Sequence, residues 1–591
     1  MARSPFFAQL KHLLHSHHKQ QETRGQGDAI SARRRELLQL SALAATATLA
    51  GCGATTPVFN TARAPYQAGS ALDVIVVGGG LAGVHCSYRL KESGVNVALF
   101  EAAKRTGGRT FSTDKGYFEG DQVAELGGEL IDTEHVVMQH FASEFNLQLD
   151  NLPKSLPSSV KYGYQYNIDG QFLTQKQIID AFKPIDKAIR EINLELAELE
   201  NTSTDAAVNA RRKEIDASTT LLNFLAENGA SPTLSKVIHF AFVGEFGLEM
   251  DQLSVFNLLD LYPCSRNGSC VSYVDTTGSS PEFKPFGDSD EIMRFHDGNE
   301  GPAREMTSRL GDAVYTEHAL IELSVEKGIY SATFSTANGG KVRAKAPHLV
   351  LALPFSTLRK VAIQPGTLRQ SYLDIIHKVS YGTNAKLMGQ FKSRKPWRSK
   401  GHDGSLVIDK KTTLGRDMHN LWDTSRAQAG DYGLWTNFVG GEAGFKIGEG
   451  TGEEQWQSLV TPLDAVYPGV KDGYLGNSAR MLWPTYKWTL GSYMAIRPGE
   501  IELANNMPHE DNDGTVQFCG EHTSEAFQGF MEGAAETGAR AAAALLERLN
   551  APQSQNLGEI QQLRLAQVLR KPQLRRTLLE FAKQKQRPML G

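Results

Sequence analysis

The stretch Asp73 to Thr110 constrains this chain more than any other, because an apolar run passes there directly into closely spaced glycines. Val74 to Val77 leads into Gly78-x-Gly80-x-x-Gly83, a helical segment continues to Glu92, and a second apolar run ends at Glu101. Strand, turn, helix and strand follow within about thirty residues, the context in which a glycine fingerprint carries structural meaning. Gly78 permits the tight turn, Gly80 lets the backbone approach a pyrophosphate, and Gly83 lets helix and strand pack closely. Leu81 and Ala82 open the helix, where free N–H groups and the helix dipole favour an anion. Glu101 and Ala102 follow at the end of the second strand, at the offset where a carboxylate accepts from ribose hydroxyls. The unit predicts a Rossmann-like α/β domain that binds a dinucleotide.

Arg105-Thr106-Gly107-Gly108-Arg109 comes next and resembles the second diphosphate-contacting loop of FAD enzymes in the two-dinucleotide-binding-domain class. Glycines permit close backbone approach, and Arg105 and Arg109 are expected to bind phosphate through their guanidinium forks. NAD becomes the less fitting ligand.

A chain of 591 residues with 40% apolar content is too long for one core, so two or more domains are expected. The formal net charge of -4 gives no reason to invoke nucleic acid. No uninterrupted apolar span reaches the roughly twenty residues that a bilayer-crossing helix needs. Residues 1–51 stand apart: Arg33-Arg34-Arg35 precedes a modestly apolar run that ends in Leu49-Ala50-Gly51-Cys52. This resembles a bacterial twin-arginine export signal with a lipoprotein cleavage box, which implies a periplasmic or cell-envelope protein anchored through acylated Cys52. Residues 52–70 read as a linker. All of these are excluded from fold reasoning.

Beyond the fingerprint, Gly127-Gly128-Glu129 forms a second glycine-bearing turn. From residue 175 to 260 apolar residues recur at helical spacing, as in Ile178, Phe182, Ile185 and Ile189, while Asn201 to Arg212 reads as polar and broken. Tyr262 to Ser289 reads as a long loop. The chain then re-enters the first domain through strand-like segments that include Ala319 and Leu320. It closes with a strand ending in Gly520-Glu521, then Gly529-Phe530-Met531 ahead of a helix of small residues starting near Gly533. That helix start is a second place where N–H groups meet the cofactor, and Glu521 is placed to accept from ribityl hydroxyls.

With these three dispersed motifs the chain resembles a flavin-containing amine oxidase, of the superfamily of monoamine oxidases, polyamine oxidases and L-amino acid oxidases, over roughly Asp73 to Leu549. The resemblance implies a two-dinucleotide-binding-domain FAD fold with an interleaved α+β substrate domain and a helical insertion. Residues 71–150, 296–360 and 508–549 are assigned to the FAD domain, 151–295 and 361–507 to the substrate domain, and 550–591 to a basic tail that reads as a solvated helix or an anionic-surface contact. It implies hydride transfer from the carbon bearing an amine, giving an imine that water hydrolyses to a carbonyl and ammonia, with oxygen reduced to peroxide. Gly127, Gly128 and Glu129 correspond to the loop beside the flavin ring. Lys386 stands where the family places a lysine that holds a water against flavin N5, its charge expected to assist the oxygen half-reaction. Tyr493 and Phe530 match the aromatic pair that flanks the substrate amine. No metal ligands are assigned.

Two departures qualify the likeness. Ser492 replaces the cysteine that tethers flavin in monoamine oxidases, so FAD is expected to be non-covalent. The arginine that binds a substrate carboxylate in venom-type L-amino acid oxidases is absent after Gly128, leaving Arg497 or Arg266 for that task. The first expectation is an L-amino acid, with a basic side chain suggested by the acidic residues Asp288, Asp290 and Glu291. Monoamine or polyamine oxidation, a membrane-tethered dehydrogenase feeding quinone or cytochrome, and a desaturase of the same fold remain the alternatives. A homodimer is entertained, and Cys264 and Cys270 are expected to pair in an oxidising compartment.

Overall fold

The computed structural model describes residues 66, 71–265, 268–277, 280–409 and 418–570. The leader, Cys52, most of the linker, Arg266 and the tail beyond residue 570 lie outside the described residues.

The fingerprint folds as strand Val74–Val77, helix Leu81–Glu92 and strand Val97–Phe100. Every residue of both strands is buried, the continuous apolar pattern of parallel strands covered on both faces. They lie in a six-stranded sheet ordered Glu510–Asp511, Val516–Phe518, His348–Leu351, Val74–Val77, Val97–Phe100, Val314–Tyr315. Val76 is level with Leu99 on one side and with Val350 on the other, both parallel. The strand order therefore turns about Val74–Val77, and a crevice opens beyond the strands' carboxyl ends.

One face of this sheet carries the fingerprint helix and the helix Met531–Arg548. A Cβ on Gly538 would lie 2.5 Å from the Ala82 carbonyl oxygen, so the small residues let these two helices meet backbone to backbone. The other face is covered by a four-stranded sheet ordered Lys341–Ala346, Ile329–Thr336, His318–Glu326, Ala362–Ile363. Phe100 and Phe334 stack between the two with ring centroids 4.1 Å apart.

The second half is a seven-stranded sheet ordered Tyr474–Leu482, Ala385–Phe391, Gly433–Val439, Met418–Asp423, Leu406–Asp409, Gln165–Ile168, Gln171–Leu173. Helices Gln175–Thr202, Asp205–Ser218, Leu221–Glu227, Pro232–Phe246 and Phe256–Leu259 pack on it through a shared apolar core. A capping box at Thr174 and Gln177 starts the first of them by satisfying orphan N–H groups.

Several boundaries differ from the sequence expectation. The break expected within Asn201 to Arg212 is confined to Ser203 and Thr204, because Thr204 accepts from Ala207 N and starts a new helix after a two-residue gap. The FAD-domain core continues past residue 360 through Ile363, Ile375 and Ile376. The described part of the tail is not a solvated surface helix: Gln555–Arg570 buries Leu557 and Ile560 in the fingerprint-helix core, and Arg564 pairs with Glu536 at 2.7 Å. Within Tyr262 to Ser289, a disulfide joins Cys264 to Cys270, and the short strands Val274–Asp275 and Glu282–Phe283 pair. No helix among the described residues is long and apolar enough to cross a membrane.

Candidate active site

One cavity of about 650 Å³ runs from the fingerprint to the substrate sheet. Its wall brings together Gly78, Gly80, Leu81, Ala82, Glu101, Ala102, Arg105, Gly108 and Arg109 with Gly127, Gly128, Glu129, Ala319 and Leu320. Lys386, Tyr493, Gly520, Glu521, Gly529, Phe530 and Met531 line it as well. Gly83 does not reach the cavity. A Cβ there would meet the Gly78 carbonyl oxygen at 1.9 Å, so its role is strand–helix packing. Gly80 is the opposite case, since nothing lies closer than 3.9 Å to the Cβ it lacks.

This end of the cavity fits a dinucleotide phosphate. The helix starts at an N-cap glycine that offers no side-chain hydrogen bond, and its first turn carries no acid. The N–H groups that the helix itself cannot satisfy are therefore left for an anion. Glu101 receives Gly79 N–H at 2.6 Å and Ala103 N–H at 2.7 Å, and burial pushes its carboxyl up despite them.

Both guanidinium groups of the arginine loop are held by protein partners. Arg105 donates to the carbonyls of Thr106 and Gly108, approaches Glu300 at 3.4 Å and lies over the Phe111 ring at 3.7 Å. Its fork holds the loop's own shape. Arg109 donates to Ser492 O at 2.6 Å and to Glu521 Oε1 at 2.8 Å, while Glu521 Oε2 accepts Gly529 N–H at 3.0 Å. Gly127 and Gly128 are required by packing, since their Cβ atoms would strike Arg109 O at 1.8 Å and Met531 Cγ at 2.7 Å.

Lys386 projects from strand Ala385–Phe391 and is 4% exposed. Its ammonium is engaged by protein groups. Nζ donates to Glu129 Oε2 at 2.8 Å and to Glu125 O at 3.1 Å. The other Glu129 oxygen accepts from Trp422 Nε1 and Thr424 Oγ1, both at 2.7 Å. Burial opposes charge on Glu129, but Lys386 and Arg294 outweigh it and hold the carboxyl below its ordinary range. Glu125, without such a close cation, is pushed up to about 7 by burial.

Tyr493 and Phe530 both line the cavity, and no ring contact joins them among the described residues. Tyr493 is fixed by its hydroxyl, which donates to the Glu245 backbone carbonyl, and its ring lies over Gly529. Burial raises its phenol well above the ordinary range.

Beyond these residues the wall carries groups that no motif announced. Glu245 interrupts the otherwise apolar run Phe240 to Phe246, and a lone acid in such a helix was the available signal. Burial, then the charge of Asp132, pushes its carboxyl up to about 7. Glu291 also reaches the cavity, its carboxyl raised well above the ordinary range by burial and then by Glu245. Asp290 instead accepts from Thr133, and Asp288 faces Lys284, so only one of the three acids anticipated is at the site. Arg497 does not line the cavity. On the same wall, Asn420 Oδ1 is a buried acceptor without a hydrogen-bond partner among the described residues.

The family model for flavin-containing amine oxidoreductases matches residues 81–546. The chain belongs to that family. Members of it carry a flavin, FAD, and this chain is an FAD-dependent amine oxidoreductase. Relatives include a flavin-containing amine oxidase of Danio rerio, 24% identical over 80% of this chain and 85% of that protein. An L-amino acid dehydrogenase of Synechocystis sp. is 24% identical over 81% of this chain and 95% of that protein. Among solved structures, cyclohexylamine oxidase from Brevibacterium oxydans IH-35A superposes with a TM-score of 0.65 at 19% identity, covering 81% of this chain and 100% of its own. Putrescine oxidase bound to putrescine gives 0.65 at 17% identity with the same coverage. These likenesses establish the FAD amine oxidase fold.

Proposed function

We propose that this protein oxidises a primary amine whose molecule carries a second cationic group, with a basic L-amino acid as the first reading. The observation that carries it is the pair of carboxyls of Glu245 and Glu291 on the cavity wall, for which no side-chain hydrogen bond or ion pair exists among the described residues. Burial and neighbouring acids raise both carboxyls, and with no ion pair of their own they are completed by an ammonium or guanidinium, which favours their ionised forms. The likeness to an L-amino acid dehydrogenase supports the amino acid. A diamine or polyamine is the second reading, favoured because Arg497, proposed for a substrate carboxylate, stands away from the cavity.

When bound, the flavin supplies a hydride acceptor. The carbon bearing the amine loses a hydride, nitrogen loses a proton to solvent, and water hydrolyses the resulting imine to a carbonyl and ammonia. Tyr493 and Phe530 orient the neutral amine and exclude water, the glycine fingerprint and Glu101 hold the dinucleotide, and Glu245 and Glu291 select the distal cation. Anaerobic flavin bleaching by L-arginine, L-lysine, L-norleucine, putrescine and pentylamine tests this independently of any acceptor. Bleaching as fast with norleucine and pentylamine as with the dibasic compounds would refute the cationic subsite. Lysine against putrescine decides between the two readings.

We further propose export to the cell envelope with an anchor at Cys52. The Cys264–Cys270 disulfide supports an oxidising compartment. Cys52→Ala should move the protein from the membrane fraction to the soluble one.

A further inference from the structure

We propose that Glu129 neutralises Lys386 at the flavin wall and thereby makes the reduced enzyme a poor partner for oxygen, so that an acceptor of the quinone class takes its electrons. The inference rests on flavin lying against this wall, and it does not depend on which amine is the substrate.

The argument is electrostatic. Reduction of oxygen begins by placing negative charge beside the reduced cofactor, and a preorganised cation is the main device by which a buried site favours developing negative charge. Lys386 is the buried cation of the substrate sheet on this wall, and Glu129 stands 2.8 Å from its Nζ. A cation with a carboxylate at that distance acts outward as a dipole, whose field falls faster with distance than that of a bare charge. The pair is also rigid. Trp422 and Thr424 hold the far carboxylate oxygen, Glu125 O takes a second Lys386 donor, and the Trp422 and Phe438 rings lie 5.2 and 5.9 Å from Nζ. Glu129 keeps its charge there, since Lys386 and Arg294 offset its burial. A quinone takes the same two electrons and two protons without a comparably localised first charge. Its two carbonyl oxygens become hydroxyls, one proton leaving with the reduced cofactor's electrons and the other coming from water. Glu129 is thus a positioning residue that sets acceptor preference through Lys386.

The test reduces the holoenzyme with dithionite, so that the substrate reading plays no part, and mixes it with air-saturated buffer or with a soluble ubiquinone analogue. The native enzyme should be reoxidised at least tenfold faster by the quinone. Glu129→Gln should speed reoxidation by oxygen tenfold or more, with a smaller change for the quinone. The flavin midpoint potential provides a second readout: it should rise in Glu129→Gln, fall in Lys386→Met and return near native in the double variant. Native enzyme reoxidised by oxygen as fast as by quinone overturns the proposal. So does a Glu129→Gln protein that holds flavin with a raised potential but an unchanged oxygen rate. If Glu129→Gln fails to bind flavin, Glu129→Ala is measured in its place, on the same criteria.

Discussion

Ser492 donates its hydroxyl to Asn384 Oδ1 across 2.6 Å, and Asn384 in turn donates to the Gly244 carbonyl. The residue at the family's tethering position is therefore 2% exposed, engaged in a structural hydrogen bond, and without a sulfur nucleophile. Acid precipitation of the holoenzyme should leave the yellow flavin in the supernatant. Colour retained in the pellet would contradict a non-covalent cofactor.

The fingerprint glycines should fail in different ways. Gly80→Val adds atoms to open space beside the phosphate site, so the apoprotein should melt within a few degrees of native while flavin affinity falls by tenfold or more. Gly83→Val forces a side chain against the Gly78 carbonyl, where the missing Cβ already has only 1.9 Å. That variant should lose several kcal/mol of stability, of the order of severe overpacking, and circular dichroism melts distinguish the two.

Glu245 predicts a pH dependence. It faces Asp132, Glu291 and Tyr493, and in the free enzyme its carboxyl titrates at about 7. The ionised form binds a distal cation, so kcat/KM for a dibasic substrate should rise through pH 7 as the proton leaves. Glu245→Gln should abolish that limb and raise KM by about 30-fold or more, since removing one partner of a desolvated charge pair costs about 2 kcal/mol at the least. Stability should move oppositely. Because the folded pKa is raised, the native state holds a proton between the ordinary carboxyl range and about 7 that the unfolded state has lost. Stability therefore falls as pH rises through that window, and Glu245→Gln should melt higher than native above pH 7.

Removing one half of the flavin-wall pair should be costly. Lys386→Met leaves Glu129, whose side chain is 3% exposed, buried without its cation. A loss of about 3–5 kcal/mol is expected by urea unfolding. The double variant Glu129→Gln with Lys386→Met should recover most of it, and purely additive losses would mean that the two residues are not coupled.

What the sequence by itself determined is what local chain geometry dictates. Apolar run, glycine spacing and acidic residue specify strand, turn, helix and strand, because each is settled by residues within one or two turns of one another. Three such motifs pointed to the cofactor end of the cavity, and the family resemblance they carry placed Lys386, Tyr493 and Phe530 at the site. Only the tertiary structure decided what those side chains meet. Glu129 and Lys386 stand 257 residues apart, and their pairing follows from a loop crossing the substrate sheet. By resemblance Arg105 is expected to bind phosphate, and its donors meet the nearer carbonyls of its own loop. The acidic pair joins a helix end at Glu245 to a loop residue at Glu291, while Asp290 beside it turns to Thr133. Backbone pattern repeats along a chain and can be read from it; the direction of a buried charge depends on what other segments bring within a few ångströms.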